Sequence, residues 1–405
     1  MMNQKTLLNF RRIGAVLVGL IGLWAAATNA SEVFGPEIAT PAPEGSRQHH
    51  LATTSDGRLL LSWVEGSGAG SRLRFAVRQG ERWSEPRTIA VERRSFAAPP
   101  VVLELTDGAL TAAWMTHIDK TRDPYAAEIH LARSIDGGRS WNELPKSYPQ
   151  KARVYDAQLS SAALRSGRLA LAWTDTRNEK SHNRFQLMAT VIDQNGGPGP
   201  EMTVDNDVCS CCETGMAAQG DNWLLAYRDH LAGEVRDIAL AQWQGGKLMT
   251  HAVRDDHWVI QGCPSNGPAV DWKGPRVLVA WFTAADGAGR VKVAFSADNG
   301  SRFENPIEID ADAYGYVGAL LLEDGSALLA WRGRAGPVEE LRTARIRPDG
   351  RVSDRATLYR GDFPRWPSRH IRLAQTGNEV YVAWIDPAGP RVRLAKVTLA
   401  AASIK

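Results

Sequence analysis

Apolar and polar positions along this chain group into short strand-like runs separated by turn residues, and one run recurs seven times. Each copy is an apolar pentapeptide ending in an aromatic. The copies lie at 59–63, 110–114, 169–173, 223–227, 277–281, 327–331 and 380–384 and end at Trp63, Trp114, Trp173, Tyr227, Trp281, Trp331 and Trp384. Successive aromatics are 51, 59, 54, 54, 50 and 53 residues apart. A recurrence of about fifty residues, built only of strand signals, predicts small sheets repeated in a propeller or solenoid. Turn pairs such as Asp56-Gly57, Asp107-Gly108, Asp324-Gly325 and Gly377-Asn378 precede the apolar run and supply the positive φ of a tight hairpin. A third strand follows, as at 73–77 or 291–295, and then a short fourth, as at 306–309. Four antiparallel strands per repeat predict an all-β, seven-bladed β-propeller. After Trp384 only one further strand is evident, at 392–399, so the last blade is one strand short. The segment 36–40 is expected to fill that place as an N-terminal clasp, which closes the ring and removes an open edge.

The first thirty residues read differently. Lys5, Arg11 and Arg12 precede an apolar stretch at 13–27, and Thr28-Asn29-Ala30 offers a small-residue cleavage site. The stretch is too short to favour a membrane span. The expectation is a signal peptide at 1–30, a single propeller domain at 31–405, and a periplasmic or secreted monomer. Without that segment the chain carries 45 basic and 45 acidic side chains. Such a balance gives no electrostatic case for nucleic acid or an anionic membrane.

The third-to-fourth turn carries a motif. Ser134, Asp136, Gly138 and Trp141 fit S-x-D-x-G-x-[ST]-W, and Ser296, Asp298, Gly300 and Phe303 form a worn second copy. In these residues the chain resembles the sialidase-like Asp-box propellers, in which the motif is structural and lies away from ligand sites. Sialidases of that superfamily hold a carboxylate with three arginines and use a tyrosine activated by a glutamate, with an aspartate as acid/base. The expected Arg-Ile-Pro motif is missing; the comparable region reads Ser46-Arg47-Gln48-His49-His50. Those sialidases also usually have six blades. Arg177, Arg228, Arg236, Arg332 and Arg369 fall near strand ends, and Tyr155, Tyr314 and Tyr316 offer phenols. The resemblance thus implies the fold, with a sialidase-like glycoside hydrolase acting through channel arginines and carboxylates as the alternative to a binding protein.

Candidate chemistry concentrates on one predicted face. His49, His50, His257 and His370 are expected in loops between blades, and His117, His182 and His230 in loops between second and third strands. The chain's four cysteines are expected on the same face: Cys209, Cys211 and Cys212 in the loop leading to blade four, and Cys263 in the loop leading to blade five. Three readings stand. In an oxidising compartment the sulfurs form disulfide staples, whose pairing the sequence does not choose. As thiolates they form a soft-metal site, copper being the expected ion, with His230, His257 or Met216 completing the shell. As a thiol–disulfide centre they exchange electrons with a partner. Beside them, Arg228 with Asp229 and Arg236 with Asp237 form an ion-pair lattice, or else tune the thiolates or bind an anionic group. Arg177, His49 and His370 complete the expected ligand-binding set. Nucleotide loop, nucleophile elbow and H-E-x-x-H motifs are absent from the sequence, and the expectation leans to binding by a small ligand, metal ion or protein rather than to catalysis.

Overall fold

The second strand of each blade is buried along its whole apolar run, because in a ring of stacked sheets it is covered on both faces. A computed structural model describes residues 32–33, 36–119, 121, 123–144, 158–175, 185–363, 370–386 and 389–399. The described residues all belong to one compact unit, Ser31–Lys405. The expected signal peptide lies outside the described residues, as do Arg177, His182, Tyr155 and Arg369.

Seven antiparallel sheets follow one another around a common axis, so the chain is a seven-bladed β-propeller. Their second strands are Leu59–Glu65, Leu110–Asp119, Leu169–Asp175, Asn222–Arg228, Arg276–Thr283, Ala327–Ala335 and Glu379–Asp386. Each pairs with an inner strand before it and a third strand after it, as Leu171 does with Ser161 and Thr190 in blade three. Seven apolar clusters form the interfaces between neighbouring blades. Ala113 and Met115 of blade two pack on Leu171 and Trp173 of blade three, and Trp63 of blade one packs on Tyr381 and Leu394 of blade seven, closing the ring.

The repeated aromatic has a polar role as well as an apolar one. The indole N–H of Trp63 donates to Glu65, of Trp114 to Glu92, of Trp173 to Asp175, of Trp281 to Asp256 and of Trp331 to Asp310, while the Tyr227 hydroxyl donates to Asp205. A ring with one polar handle fits a slot that is apolar except for one carboxylate, which explains why tyrosine serves in blade four.

Blade seven has three strands, Arg372–Thr376, Glu379–Asp386 and Arg391–Val397. The predicted clasp completes it: Glu37 pairs with Ala395, and the Ile38 amide donates to the Leu394 carbonyl at 2.8 Å. A second stitch was not legible in the sequence. Glu32–Val33 pairs with the outer strand of blade six, Val352–Gly361, covering that strand's free edge. In blade two, Asp136 Oδ1 accepts the amides of Arg139 and Ser140 at 2.9 and 3.0 Å, and the Ser134 hydroxyl accepts the Gly138 amide at 2.8 Å. Trp141 then packs edge-on against Phe75 of blade one. Ser296, Asp298 and Gly300 bond alike in blade five, and Phe303 packs against the cluster joining blades four and five.

Candidate metal centre

Two loops lead into neighbouring inner strands, and their backbones touch. The cysteine loop 209–214 leads into Gly215–Gln219 of blade four, and the loop 255–268 leads into Ala269–Lys273 of blade five. Gly267 lies so close to the Glu213 carbonyl that no side chain fits between them, and a Cβ on Gly215 would stand 3.1 Å from the Pro268 carbonyl oxygen. The contact brings all four sulfurs within 4.8 Å of one another. Cys211 and Cys263 are joined as a disulfide with their Cα atoms 6.3 Å apart, whereas Cys209 and Cys212 are buried thiols outside that bond. Cys209 Sγ lies 3.1 Å from Cys212 Sγ and 3.5 Å from Cys263 Sγ.

Two buried cations frame the sulfurs. Arg228 is 1% exposed, and its Nε, Nη1 and Nη2 donate to the carbonyls of Asn266, Arg236 and Phe282 at 2.8, 2.6 and 2.7 Å. Its guanidinium also lies over the Trp258 ring, 4.9 Å from the centroid. The sequence placed Arg228 among ligand binders; here its donors tie blade four to the loop bearing Cys263 and to blade five. Arg236 is 6% exposed and donates through Nη2 to Glu234 at 2.7 Å. Among the described residues no acceptor meets its Nε or Nη1. The hydrogen bond to Cys212 and burial push the Cys209 thiol well above its ordinary range, while the fields of Arg228 and Arg236 pull it down.

The acidic residues around this frame divide the work. Asp237, 3% exposed, accepts the amides of His257 and Trp258 at 2.9 and 3.0 Å and so anchors the second loop. Burial, with the carboxylates of Asp205, Asp207 and Asp237, raises the Asp229 pKa to about 7 against the pull of Arg236. His230 Nδ1 faces Asp207 at 2.8 Å and Nε2 faces Glu234 at 3.4 Å. The sulfur cluster contains neither His230 nor His257; Met216 lines the central channel.

That channel holds a cavity of about 210 Å³ lined by inner strands of the blades. Glu213, next to Cys212 and not singled out from sequence, projects into it. Its Oε2 lies 2.5 Å from His370 Nδ1 and 3.7 Å from Arg372 Nη1. His370 is 4% exposed, and His50 lines the same cavity, its Nδ1 at 3.1 Å from the Val102 carbonyl. His49 and His50, expected in a loop, lie within the inner strand Arg47–Thr53, where a register shift and a positive φ at Gln48 kink the backbone. His117 likewise lies in the strand Leu110–Asp119. His49 is sealed under blade seven, its Nε2 3.1 Å from the Ala383 carbonyl. Arg332, another candidate, pairs with Glu339 and stacks on Tyr316 at 4.3 Å.

No protein-family model matches this chain, and no curated protein matches it. Many solved structures do. A protein of unknown function from Dyadobacter fermentans shares 16% identity over 90% of this chain and 98% of its own, with a TM-score of 0.52. A family 25 polysaccharide lyase, an ulvan lyase, aligns at TM-score 0.53 with 10% identity, covering 90% of this chain and 94% of its own. An α-L-arabinanase from Penicillium chrysogenum aligns at TM-score 0.50 with 12% identity, covering 91% and 98%. A microbial sialidase is among the other matches. At such identities the likeness is one of fold.

Proposed function

We propose that this chain is an exported binding protein whose four cysteines hold one soft metal ion, copper(I) by preference, where two loops meet beside the channel. The observation that carries this reading is the convergence of all four sulfurs within 4.8 Å beside two buried guanidinium groups. Cys209 Sγ stands 3.1 and 3.5 Å from the sulfurs of Cys212 and Cys263, close enough for them to share one ion. Thiolate-rich sites select copper(I) and zinc over hard cations. A cluster of thiolates around one ion keeps negative charge, and burial makes that costly unless cations stand near. Arg228 and Arg236 supply them. The metal-binding form is the reduced one, since Cys211 and Cys263 must first be opened by a two-electron reductant.

The test is a metal and thiol count on the reduced full chain, reconstituted with copper(I) in the presence of a competing chelator. About one copper per chain, lost on Cys209→Ser and Cys263→Ser, supports the reading. Reduced protein that holds no metal against the chelator overturns it.

A second reading rests on the channel. Glu213, His370 and Arg372 meet in one cavity, and two of the similar structures are an ulvan lyase and an arabinanase. A glycoside hydrolase would release product from sialosides or other glycosides and lose that activity on Glu213→Gln. No release from such a panel removes this reading.

A further inference from the structure

Cys209 and Cys212 stand three apart, the C-x-x-C spacing at which two cysteines interconvert between dithiol and disulfide. Cys209 Sγ has two sulfur neighbours: Cys212 at 3.1 Å, and Cys263, the bonded partner of Cys211, at 3.5 Å. Exposure is graded across the cluster. Cys209 and Cys212 are buried, Cys211 is half-buried and Cys263 is exposed. The Ser265 hydroxyl donates to Cys211 Sγ at 3.7 Å and lies 3.8 Å from Cys263 Sγ.

We propose that these residues form an internal dithiol–disulfide relay, moving two electrons between the buried pair Cys209/Cys212 and the outer pair Cys211/Cys263. In the first step the small thiolate fraction of Cys209 attacks Cys263 Sγ. The Cys209–Cys263 bond forms, the Cys211–Cys263 bond breaks, and Cys211 leaves as a thiolate beside the Ser265 hydroxyl. In the second step the Cys212 thiolate attacks Cys209. The Cys209–Cys212 bond forms, the Cys209–Cys263 bond breaks, and Cys263 leaves as a thiolate. The two protons given up by Cys209 and Cys212 are taken up by Cys211 and Cys263. The buried pair is oxidised by two electrons and the outer pair reduced by the same two, so no outside oxidant is needed. The first step starts from a separation within near-attack range. The product of the second step is an exposed Cys263 thiol, the atom through which a partner protein's cysteine pair would draw or return electrons. The relay belongs to the metal-free protein and does not depend on the metal reading.

The experiment uses the metal-free full chain carrying one disulfide per molecule, quenched in acid, alkylated in denaturant and mapped by peptide mass spectrometry. The expected result is a mixture of Cys211–Cys263 and Cys209–Cys212 bonds in the wild type. In Cys212→Ser the second step is blocked, and the Cys209–Cys263 bond accumulates with Cys211 alkylated. A wild type holding only Cys211–Cys263, with Cys209 and Cys212 fully alkylated, overturns the relay even if the variant fails to fold. Failure of the metal reading is seen separately, in the copper count on reduced protein.

Discussion

Gly267 and Glu213 are pressed together so closely that a Cβ on the glycine would overlap the carbonyl oxygen of the glutamate. This backbone contact sets the distance between the loop bearing Cys263 and the loop bearing the other three cysteines. Gly267→Ala is therefore expected to destabilise the fold by about 1–3 kcal/mol through overpacking. It should also separate the sulfurs. A urea melt paired with a thiol count checks both, and a variant with native stability and native thiol reactivity would show that the loops meet for another reason.

Arg228 donates to three carbonyls and lies over Trp258. Arg228→Met removes the charge but keeps much of the volume, leaving those carbonyls without their donor in a buried setting. The expected loss is on the order of 3 kcal/mol, measured by chemical denaturation. It should exceed that of Arg236→Met, whose side chain makes one hydrogen bond among the described residues. The reverse order would place the main framing role on Arg236.

Asp237 accepts two amides of the second loop, those of His257 and Trp258. Asp237→Ala orphans both, at a cost on the order of 2 kcal/mol. Limited proteolysis should then cut first within 255–268. Cleavage elsewhere, with this loop intact, would contradict the anchoring role.

His49 and His50 both have pKa values lowered to about 3, first by burial and then by the neighbouring Arg372 charge. An unfolded histidine titrates near 6.5, so the unfolded chain binds more protons than the native one between about pH 6.5 and 3. Stability is thus fully present above about 6.5 and falls as the solution is acidified through that window. The slope is roughly 1 kcal/mol per pH unit for each histidine. His49→Gln should flatten the acid limb of a plot of melting temperature against pH, and an unchanged limb would rule out His49 as its source.

The fold was legible because its two main signals are local. A strand covered on both faces must be apolar throughout, and the turn before it must tolerate positive φ, as Gly57, Gly108 and Gly325 do. The clasp was legible as a missing strand. The stitch at Glu32–Val33 was not, since two residues carry no periodicity. The meeting of the cysteines followed from placing two consecutive blade-to-blade loops side by side. Two features of the site escaped. Arginine is rarely buried, so nothing in the sequence marked Arg228 as a framing residue rather than a ligand binder. Glu213 is one carboxylate among many, and only its step from Cys212 into the channel gives it meaning.

The clasp has a consequence for the order of events in folding. Arg393 grips Glu37 through both carboxylate oxygens across a sequence separation of 356 residues. Blades one to six can form from neighbouring sequence as it becomes available. The segment around Glu37 has to wait, because its place does not exist until Arg391–Val397, far behind it in the chain, has been made. Contacts of such range are the slow ones in folding. The ring is therefore locked by residues that are made well before the strand they join, and until they dock, blade seven presents an open edge.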